Sequence, residues 1–490
     1  MGILDRLFSF RKKPAPVPAK RATRNYRPPV DLNGDPIMQH SRFERIPSAL
    51  GSLRGAARNL VHTNPNASRA TEVRVEHSIG TGIRYAFSGA PGYDSRFFTW
   101  ATTTECDYEG QLTLYAIQDL FCRSIVEAGE GIIILRDGKA KDGYLPKLQV
   151  VDPDLLDATA TPKYPDNRVV QGIEIKPSGM VIGFHFSFDS GQGNRWQEFV
   201  HADHVIHAFE RKWPGQLRGI PAGVQVLTKV EALEAFITAA LAKARIECCL
   251  GVAVVRKPTM DDGQSNPLFD QLASQQAADP DYERPTHLSP ALIFDVEAGA
   301  DVKAITPSSS GGYEAYIRIN REDIAAGYGV PYSFMTGDVS RANFASSKVA
   351  LEAFYKTIER FQANTLFPAF QRIELYFREA YELAVGVDLS HLDVTLIPPS
   401  RVSFEPAKDM QARAQRMSIG TMTWRQACYA EGIDPDVQYA ELRREQTLFA
   451  QDGMTFNFGG FLVGAQQAAE TEAAENAAIA AAEAQQGPEL

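Results

Sequence analysis

Residues 324–355 read IAAGYGVPYSFMTGDVSRANFASSKVALEAFY, and this stretch decides the fold. A helix is predicted to end at residues 327–329 (GYG), and Pro331 sets an extended turn after it. A polar loop rich in Gly, Asp, Asn and Ser follows, and a new helix is predicted to open at residues 346–347 (SS). Helix–helix connections in compact domains usually have about two to eight residues, so a loop of about fifteen indicates a function of its own.

Before this stretch, helical patterns surround a β-rich region. Residues 31–100 are helical and polar in pattern, with a helix start at the NPN sequence of residues 64–66. A further helix is predicted over 112–128, ended by Gly129. From residue 130 to residue 210, short β-branched or aromatic runs alternate with turn signals, which predicts an antiparallel sheet. The runs are 131–135, 147–151, 170–175, 181–188 and 205–209.

The second half of the chain is mostly helical in pattern. Val226, Val230, Leu233 and Ile237 keep the three- and four-residue spacing of an apolar stripe, which predicts a long helix over 222–250. The other predicted segments are a small α/β insertion (252–306, with strand-like runs at 252–255, 291–294 and 302–305), a returning helix (313–326), a helix that Pro368 kinks or splits (348–384), a strand (394–404) and helices (409–450).

The composition is that of a globular protein with charged tails. Of 490 residues, 44% are hydrophobic and 22% charged, enough for several domains with cores of their own. Residues 1–27 hold eight Lys or Arg against one Asp, whereas residues 466–490 hold five Glu and no basic residue. Neither end can bury a core, so both are predicted to be tails. The basic arm either contacts nucleic acid or another protein, or is a solvated leader.

The sequence carries no signal for membrane insertion or secretion. It has no apolar run of about eighteen residues, the length at which a spanning helix is expected. Its first residues, MGILDRLF, are too few and too charged to form the apolar core of a secretory signal. We therefore expect the chain to stay in the cytoplasm of the cell that makes it.

The motifs of nucleotide hydrolysis, acyl transfer and zinc binding are missing. Five cysteines are scattered, odd in number and never in a C-x-x-C pair, which argues against a disulfide framework and a zinc site. Cys248 and Cys249 lie in a helical pattern and are interpreted as small apolar residues. Gly138-Lys139 lacks the upstream glycine of a P-loop, and no G-x-S-x-G elbow occurs. We therefore predict that the chain is not an enzyme and has no cofactor.

One histidine cluster resembles a metal site at first sight. His201, His204 and His207 are spaced by three residues, which places them on alternating faces of a strand, so they cannot all converge on one ion. They are predicted to be structural, and the adjacent Asp261 and Asp262 to lie in a solvated loop. The sequence therefore predicts no metal site.

Three blocks of this sequence, in the same order, resemble the lambda family of bacteriophage portal proteins. The first is VIHAF at 205–209 followed by PGQLRGIP at 214–221, the second is the loop block at 329–347, and the third begins TMTWR and ends EGID, at 421–434. Together with the long helix between the first two, the resemblance covers most of residues 40–450. It implies an α+β fold of the portal type.

The resemblance also implies a domain organisation. A disordered basic arm (1–30) precedes an α/β wing (31–221), and two stem helices (222–250 and 308–329) flank a small α/β clip (251–307). A tunnel loop (330–347) faces the central channel and leads to a spine helix that returns to the wing (348–408). A helical crown (409–460) and an acidic tail rich in Ala and Gln (461–490) complete the chain.

By the same resemblance, the expected function is structural. Members of the family form a twelve-fold ring at one capsid vertex, through which DNA is packaged and ejected. The implied partners are other copies of the chain in a homododecamer, double-stranded DNA, the terminase large subunit, the major capsid or scaffold protein and head–tail connector proteins. The implied location is the virion, and the host cytoplasm during assembly. The alternative is another oligomeric phage head or neck protein.

Elementary physics agrees with such a role. Long solitary helices must bury their apolar stripes against other copies, and head-to-tail contacts between copies can close a ring. The chain has a net charge of −10, and an acidic protein suits a channel through which DNA slides better than one that grips it, because gripping needs phosphate neutralisation.

The loop holds the candidate channel residues, which are Gly337, Asp338, Arg341, Asn343 and Lys348. Arg341 and Lys348 are the candidate phosphate contacts. In the alternative interpretation Arg341 pairs with Asp338, and Lys348 pairs with Glu352 one helical turn away. The sequence leaves both interpretations open.

Overall fold

The computed structural model describes residues 45–88, 90–140, 143–189, 195–249, 253–255, 294–296, 313–340, 343–403 and 405–451. Its helices are α1 (Arg45–Thr63), α2 (Pro65–Ile79), α3 (Pro91–Thr102), α4 (Leu114–Ala128), α5 (Leu227–Cys249), α6 (Tyr313–Tyr328), α7 (Tyr332–Thr336), α8 (Phe344–Phe361), α9 (Phe367–Val385), α10 (Pro406–Ser418), α11 (Trp424–Ala430) and α12 (Pro435–Gln451). Its strands are β1 (Arg84–Ser88), β2 (Gly131–Ala140), β3 (Gly143–Val151), β4 (Arg168–Val170), β5 (Ile173–Ile175), β6 (Val181–Asp189), β7 (Arg195–His201), β8 (Val205–Ala208), β9 (Ala253–Val255), β10 (Phe294–Val296) and β11 (Asp393–Ile397).

The contacts divide the chain into residues 1–49 and residues 50–490, and the packing described below lies within the second unit. The predicted basic arm (1–30) and acidic tail (461–490) lie outside the described residues.

The helix start predicted at residues 64–66 is confirmed. Asn64 is the N-cap of α2, and its Oδ1 accepts hydrogen bonds from the backbone N–H groups of Asn66 (3.0 Å) and Ala67 (3.1 Å). Pro65 holds the first helical position, where a backbone N–H would have no partner in the helix. The local sequence alone therefore accounts for where α2 begins.

Helix α4 also begins and ends close to its predicted bounds. The hydroxyl of Thr113 accepts a hydrogen bond from the Ala116 N–H at 3.4 Å and caps the first turn. Gly129 ends the helix with φ +89°, in the left-handed region that favours glycine. Ile117 and Phe121 are fully buried in the main hydrophobic core.

The region predicted as a single antiparallel sheet forms two sheets, with strand orders β3-β2-β8 and β4-β5-β6-β7. Strand β7 was not predicted. Ile132 and Ile134 of β2 pack in a core shared by the two sheets, whereas Ile133 and Leu135 pack in the core shared with the helices. One sheet was the wrong prediction because β2 is apolar on both faces, and a second layer is needed to cover the second face.

Helices α5 and α6 confirm the predicted pair of long helices, and a short 3-10 turn, Ala222–Val226, precedes α5. Val230 and Leu233 of α5 are buried in a second core together with Ile324 and Tyr328 of α6. The described residues cover the stripe in the first part of α5, whereas Leu241 further along is 55% exposed.

Between α5 and α6 the described residues form the strands β9 and β10, which pair in parallel. Strand β9 agrees with the predicted run at 252–255, and β10 begins at the end of the run predicted at 291–294. The rest of the predicted clip (251–307), including the run at 302–305, lies outside the described residues.

Helices α8 and α9 are joined without a break by a π-helical turn, Gln362–Leu366, directly before Pro368. The predicted split at Pro368 does not occur, and the regular helix is instead interrupted by this π-helical turn. Because proline has no N–H and its ring crowds the carbonyl four residues earlier, the regular helical bond cannot form there. The wider turn accommodates this, with the Phe367 N–H bonded to the Gln362 carbonyl.

The predicted strand at 394–404 is shorter, Asp393–Ile397, and pairs antiparallel with β1 in a sheet of two strands. Strand β1 lies inside residues 31–100, and the prediction that this region is helical was wrong there. Pro398 and Pro399 follow the strand and end it, because proline cannot donate to a ladder.

The helical region predicted over 409–450 consists of α10, α11 and α12. Helix α10 buries none of its residues, and Met410 within it and Ile419 directly after it are 67% and 71% exposed. Among the described residues nothing covers these apolar side chains, so they leave water only through a further contact. Among the described helices, none has the length and apolar character that a membrane-spanning helix requires.

Candidate functional site

The connection between α6 and α8 is not a continuous polar loop. Gly329 (φ +71°) ends the turn after α6, Pro331 precedes the short helix α7, and Gly337 (φ +73°) ends it. The loop proper is thus residues 337–343. The prediction of about fifteen polar residues was wrong because Tyr332, Phe334 and Met335 are apolar enough to fold back onto the protein.

Aromatic contacts hold α7 against α2 and α8. Met335 is buried, and the ring of Phe334 stacks on the imidazole of His77 with centroids 5.4 Å apart and planes 6° apart. Phe354 meets the same imidazole edge-on at 5.1 Å. Burial lowers the pKa of His77, since desolvation disfavours the charged imidazolium. One end of the loop is therefore anchored to two long helices.

Asp338 organises the loop after Gly337. Its Oδ1 accepts a hydrogen bond from the Ser340 N–H at 2.9 Å, and its own N–H donates to the Thr336 hydroxyl at 3.2 Å. The Tyr332 hydroxyl lies 3.5 Å from its Oδ2. These bonds, those of Ser340 first, lower the pKa of the Asp338 carboxyl, so it is charged at neutral pH.

Asn343 marks the other end of the loop as the N-cap of α8. Its Oδ1 accepts from the Ser346 N–H at 2.7 Å, and the Ser346 hydroxyl accepts from the Asn343 N–H at 3.3 Å, which completes a capping box. Helix α8 thus starts two residues before the predicted start at residue 346. The boundary was recognisable in the sequence from the Asn and Ser spaced by three residues.

Lys348 does not pair with Glu352. Its Nζ lies 3.5 Å from Oε2 of Glu405, which also binds Lys408. The pairing predicted from the helical spacing was therefore wrong, because a carboxylate just before α10 lies within reach of the ammonium. Arg341 lies outside the described residues, so its predicted role in the channel stays a prediction.

A cavity of about 460 Å³ lies beside the loop, between α6 and α7. The guanidinium of Arg318 lies over the Tyr332 ring at 5.3 Å from its centroid and binds Glu322 at 2.9 Å. Arg321, one turn further along α6, has a buried Nε atom that lacks a hydrogen-bond partner in the described part of the chain. The cavity is lined by Tyr313, Glu314, Ile317, Arg318, Arg321, Tyr332 and Asp338.

A second polar cluster was missed by the sequence reasoning and lies between α4 and α5. Glu130 directly precedes β2 and is fully buried. Arg218 donates to both of its carboxylate oxygens, with Nη2 at 2.6 Å from Oε1, and His207 Nε2 lies 2.7 Å from Oε2. Arg54 of α1 binds the same carboxylate and the carboxylate of Asp154.

The charges around Glu130 outweigh its burial. Burial alone would raise the pKa of the carboxyl, but the Arg218 guanidinium, with the hydrogen bond and charge of His207, lowers it to about 2.

Arg218 and Gly219 belong to the PGQLRGIP block. A Cβ at Gly219 would meet the Gly129 carbonyl oxygen at 2.0 Å, so the backbones approach too closely for any other residue.

The three histidines of the sequence analysis have separate environments. His201 ends β7, His204 ends a short 3-10 turn, and His207 lies in β8 against Glu130. Among the described residues no group of side chains is arranged to hold a metal ion. The pair Asp261 and Asp262 lies outside the described residues.

The sequence model of the lambda-family phage portal proteins matches residues 38–362 of this chain. The chain belongs to the lambda family of phage portal proteins. Portal proteins of this family are structural proteins. The match includes the loop, the cavity beside it and the buried cluster around Glu130, whereas α10 to α12 lie beyond it. No curated protein matches the chain.

Several solved structures resemble this portal-family chain. A chain of the virion of the native gene transfer agent (GTA) particle has a TM-score of 0.45 and 15% identity, covering 79% of this chain and 94% of that one. A chain of the native GTA neck, computed with C12 symmetry, has a TM-score of 0.45, 16% identity and the same coverage. An HK97-family phage portal protein from Corynebacterium diphtheriae has a TM-score of 0.32 and 12% identity, covering 72% and 96%.

Proposed function

We propose that copies of this chain form a ring, a homododecamer, at one vertex of a phage-type capsid. The channel of the ring passes double-stranded DNA during packaging and ejection. The observation that carries this proposal is the match of residues 38–362 to the lambda portal family. In this proposal α5 and α6 are the stem, residues 337–343 line the channel, α8 and α9 are the spine, and α10 to α12 are the crown.

The unpaired apolar surface of the subunit supports assembly. Leu241 on α5 and Ile319 on α6 are 55% and 58% exposed, and Val349 on α8 is 67% exposed. Met410 in α10 is exposed as well. Such side chains on several long helices would leave water if neighbouring copies packed against them, and a head-to-tail contact repeated around an axis closes a ring.

The loop suits the passage of DNA better than its capture. Asp338 is held in the charged state, and Lys348 is engaged by Glu405. Few free cations thus remain beside the channel in the described loop, and a strong grip on DNA needs many phosphate contacts. A channel of this kind allows the duplex to slide under the force of a motor.

The partners of the ring follow from its place in the capsid. The terminase large subunit docks on the ring during packaging, the major capsid or scaffold protein surrounds it, and head–tail connector proteins bind once the head is full. The protein then belongs to the virion, and to the host cytoplasm during assembly.

Electron microscopy of the purified full chain, with its mass measured by light scattering, tests the proposal. We expect rings whose central hole is at least about 20 Å wide, since a duplex with a major groove about 8.5 Å deep must pass. A monodisperse monomer or dimer, with or without scaffold protein, would contradict the ring.

A further inference from the structure

The cavity between α6 and α7 holds an arginine without a partner. The Nε atom of Arg321 is buried and has no hydrogen-bond acceptor among the described residues. Its neighbour Arg318 differs, since it binds Glu322 and lies over Tyr332. Desolvating part of a guanidinium without an acceptor is unfavourable, so an anionic group in the cavity would stabilise this arrangement.

The open face of α8 offers a carboxylate of the right kind. Glu352 is exposed and has no ion-pair partner in the described part of the chain, because Lys348 turns to Glu405 instead. Val349, one turn earlier on the same face, is 67% exposed. The cavity is lined by the apolar surfaces of Tyr313 and Ile317 and by Arg321, and the acids Glu314 and Asp338 also line it. The match to α8 therefore rests on the Arg321 Nε atom, which has no acceptor among the described residues, and on the apolar surface beside it.

We propose that the cavity of one copy receives the Glu352 carboxylate of a neighbouring copy, which binds Arg321. This inference rests on the proposed ring. A carboxylate on a flexible side chain can enter a recess beside Tyr332, and the planar guanidinium can bind it with two hydrogen bonds. The phosphates of duplex DNA lie on a stiff cylinder and reach a recessed Nε atom less easily. The contact would join α6 of one subunit to α8 of the next, directly beside the channel loop.

Mixing two oppositely changed variants tests this contact. Arg321→Glu alone places two carboxylates together at every contact, and Glu352→Arg alone places two guanidinium groups together. In an equimolar mixture the two variants can alternate around the ring, and every contact then again pairs opposite charges. We expect each variant alone to need at least about tenfold more protein to form rings, and the mixture to assemble within about threefold of the wild-type concentration.

Rescue by mixing separates a contact between copies from one inside a copy, because an internal pair cannot be repaired by a second chain. Circular dichroism of each variant first confirms that it is folded. If a reversed charge prevents folding, Arg321→Gln mixed with wild-type protein is used instead, and intermediate assembly is expected. The matched control is Arg360→Glu, an equal change of charge two turns beyond Glu352, which should assemble as the wild type does.

Three outcomes overturn the proposal in different ways. An Arg321→Glu variant that assembles normally but binds duplex DNA less tightly would assign Arg321 to DNA. Variants that fail alone and also fail when mixed would show that Arg321 and Glu352 do not pair between copies. Wild-type protein that forms no ring would remove the proposed function together with this contact.

Discussion

The guanidinium of Arg218 lies against the carboxylate of Glu130, 88 residues earlier in the chain, with Nη2 at 2.6 Å from Oε1 and Nε at 3.0 Å from Oε2. Both side chains are buried. Glu130 follows Gly129, which ends α4, and Arg218 lies shortly before the 3-10 turn into α5, so the pair fixes where α5 leaves the sheets. The portal-type block PGQLRGIP thus has a structural explanation in this chain.

Replacing Glu130 with Gln should destabilise the subunit strongly. The change leaves Arg218 and Arg54 buried without their carboxylate, and breaking a buried pair of this kind costs about 3 to 5 kcal/mol. The free energy of unfolding in urea measures it. The matched control is Glu198→Gln, which removes a partly exposed pair with Arg136 and should cost less than about 1 kcal/mol. Equal losses in the two variants would contradict a special role for Glu130.

The same carboxylate should make stability depend on pH on the acid side. The pKa of Glu130 is lowered to about 2 in the folded protein, from an ordinary value of 4.5. A lowered pKa stabilises the folded state above pH 4.5, and this contribution is lost as the pH falls toward 2. The difference in unfolding free energy between wild type and Glu130→Gln should therefore be full at pH 7 and shrink below pH 4.5. A difference that grows in acid would refute the assignment.

Leu233→Asp should prevent the subunit from folding stably. Leu233 is 1% exposed and packs in the core that also contains Tyr328. Removing such a leucine alone costs about 2 to 5 kcal/mol, and burying a carboxylate adds to the loss. Leu241→Asp lies on the exposed part of the same helix, and its free energy of unfolding should be within about 0.5 kcal/mol of that of the wild type. The variant should nevertheless form fewer rings. Thermal unfolding followed by circular dichroism, together with light scattering, distinguishes the two effects.

Replacing residues 339–342 with two glycines should leave the ring intact and impair DNA retention. The helix α7 stays anchored through Met335 and Phe334, and Asn343 remains to cap α8. Electron microscopy reports on the rings, and the fraction of packaged DNA that resists nuclease reports on retention. Subunits that no longer assemble would show that the loop is part of the contact between copies rather than of the channel.

Asn343→Ala should shorten or fray the start of α8. The change removes the acceptor for the Ser346 N–H, and loss of such a cap costs about 1 kcal/mol. Asn343→Ser keeps a capping oxygen and should retain most of the stability. Urea unfolding of the three proteins gives the answer, and an alanine variant as stable as wild type would mean that the cap contributes nothing.

Local signals predicted the helix boundaries well and the sheets poorly. The start of α2 at Asn64 and Pro65 and the end of α4 at Gly129 each depend on contacts within one helical turn. Residues adjacent in the sequence are therefore enough to predict them. The division into two sheets depends on which face of β2 each layer covers, and the pairing of β1 with β11 joins residues about 300 positions apart. Sequence spacing carries no information about such pairings.

The candidate site shows the same contrast between features set by local sequence and features set by long-range contacts. The sequence by itself determined the family, the helices α5, α6 and α8, the connection between α6 and α8, and the glycines and cap of that connection, because these depend on local propensity and spacing. Only the tertiary structure decided that α7 interrupts the loop, that Lys348 pairs with Glu405 rather than Glu352, and that Glu130 is surrounded by cations. Each of these depends on which side chains from distant segments share a buried or half-buried volume, where an unpaired charge is too costly to leave.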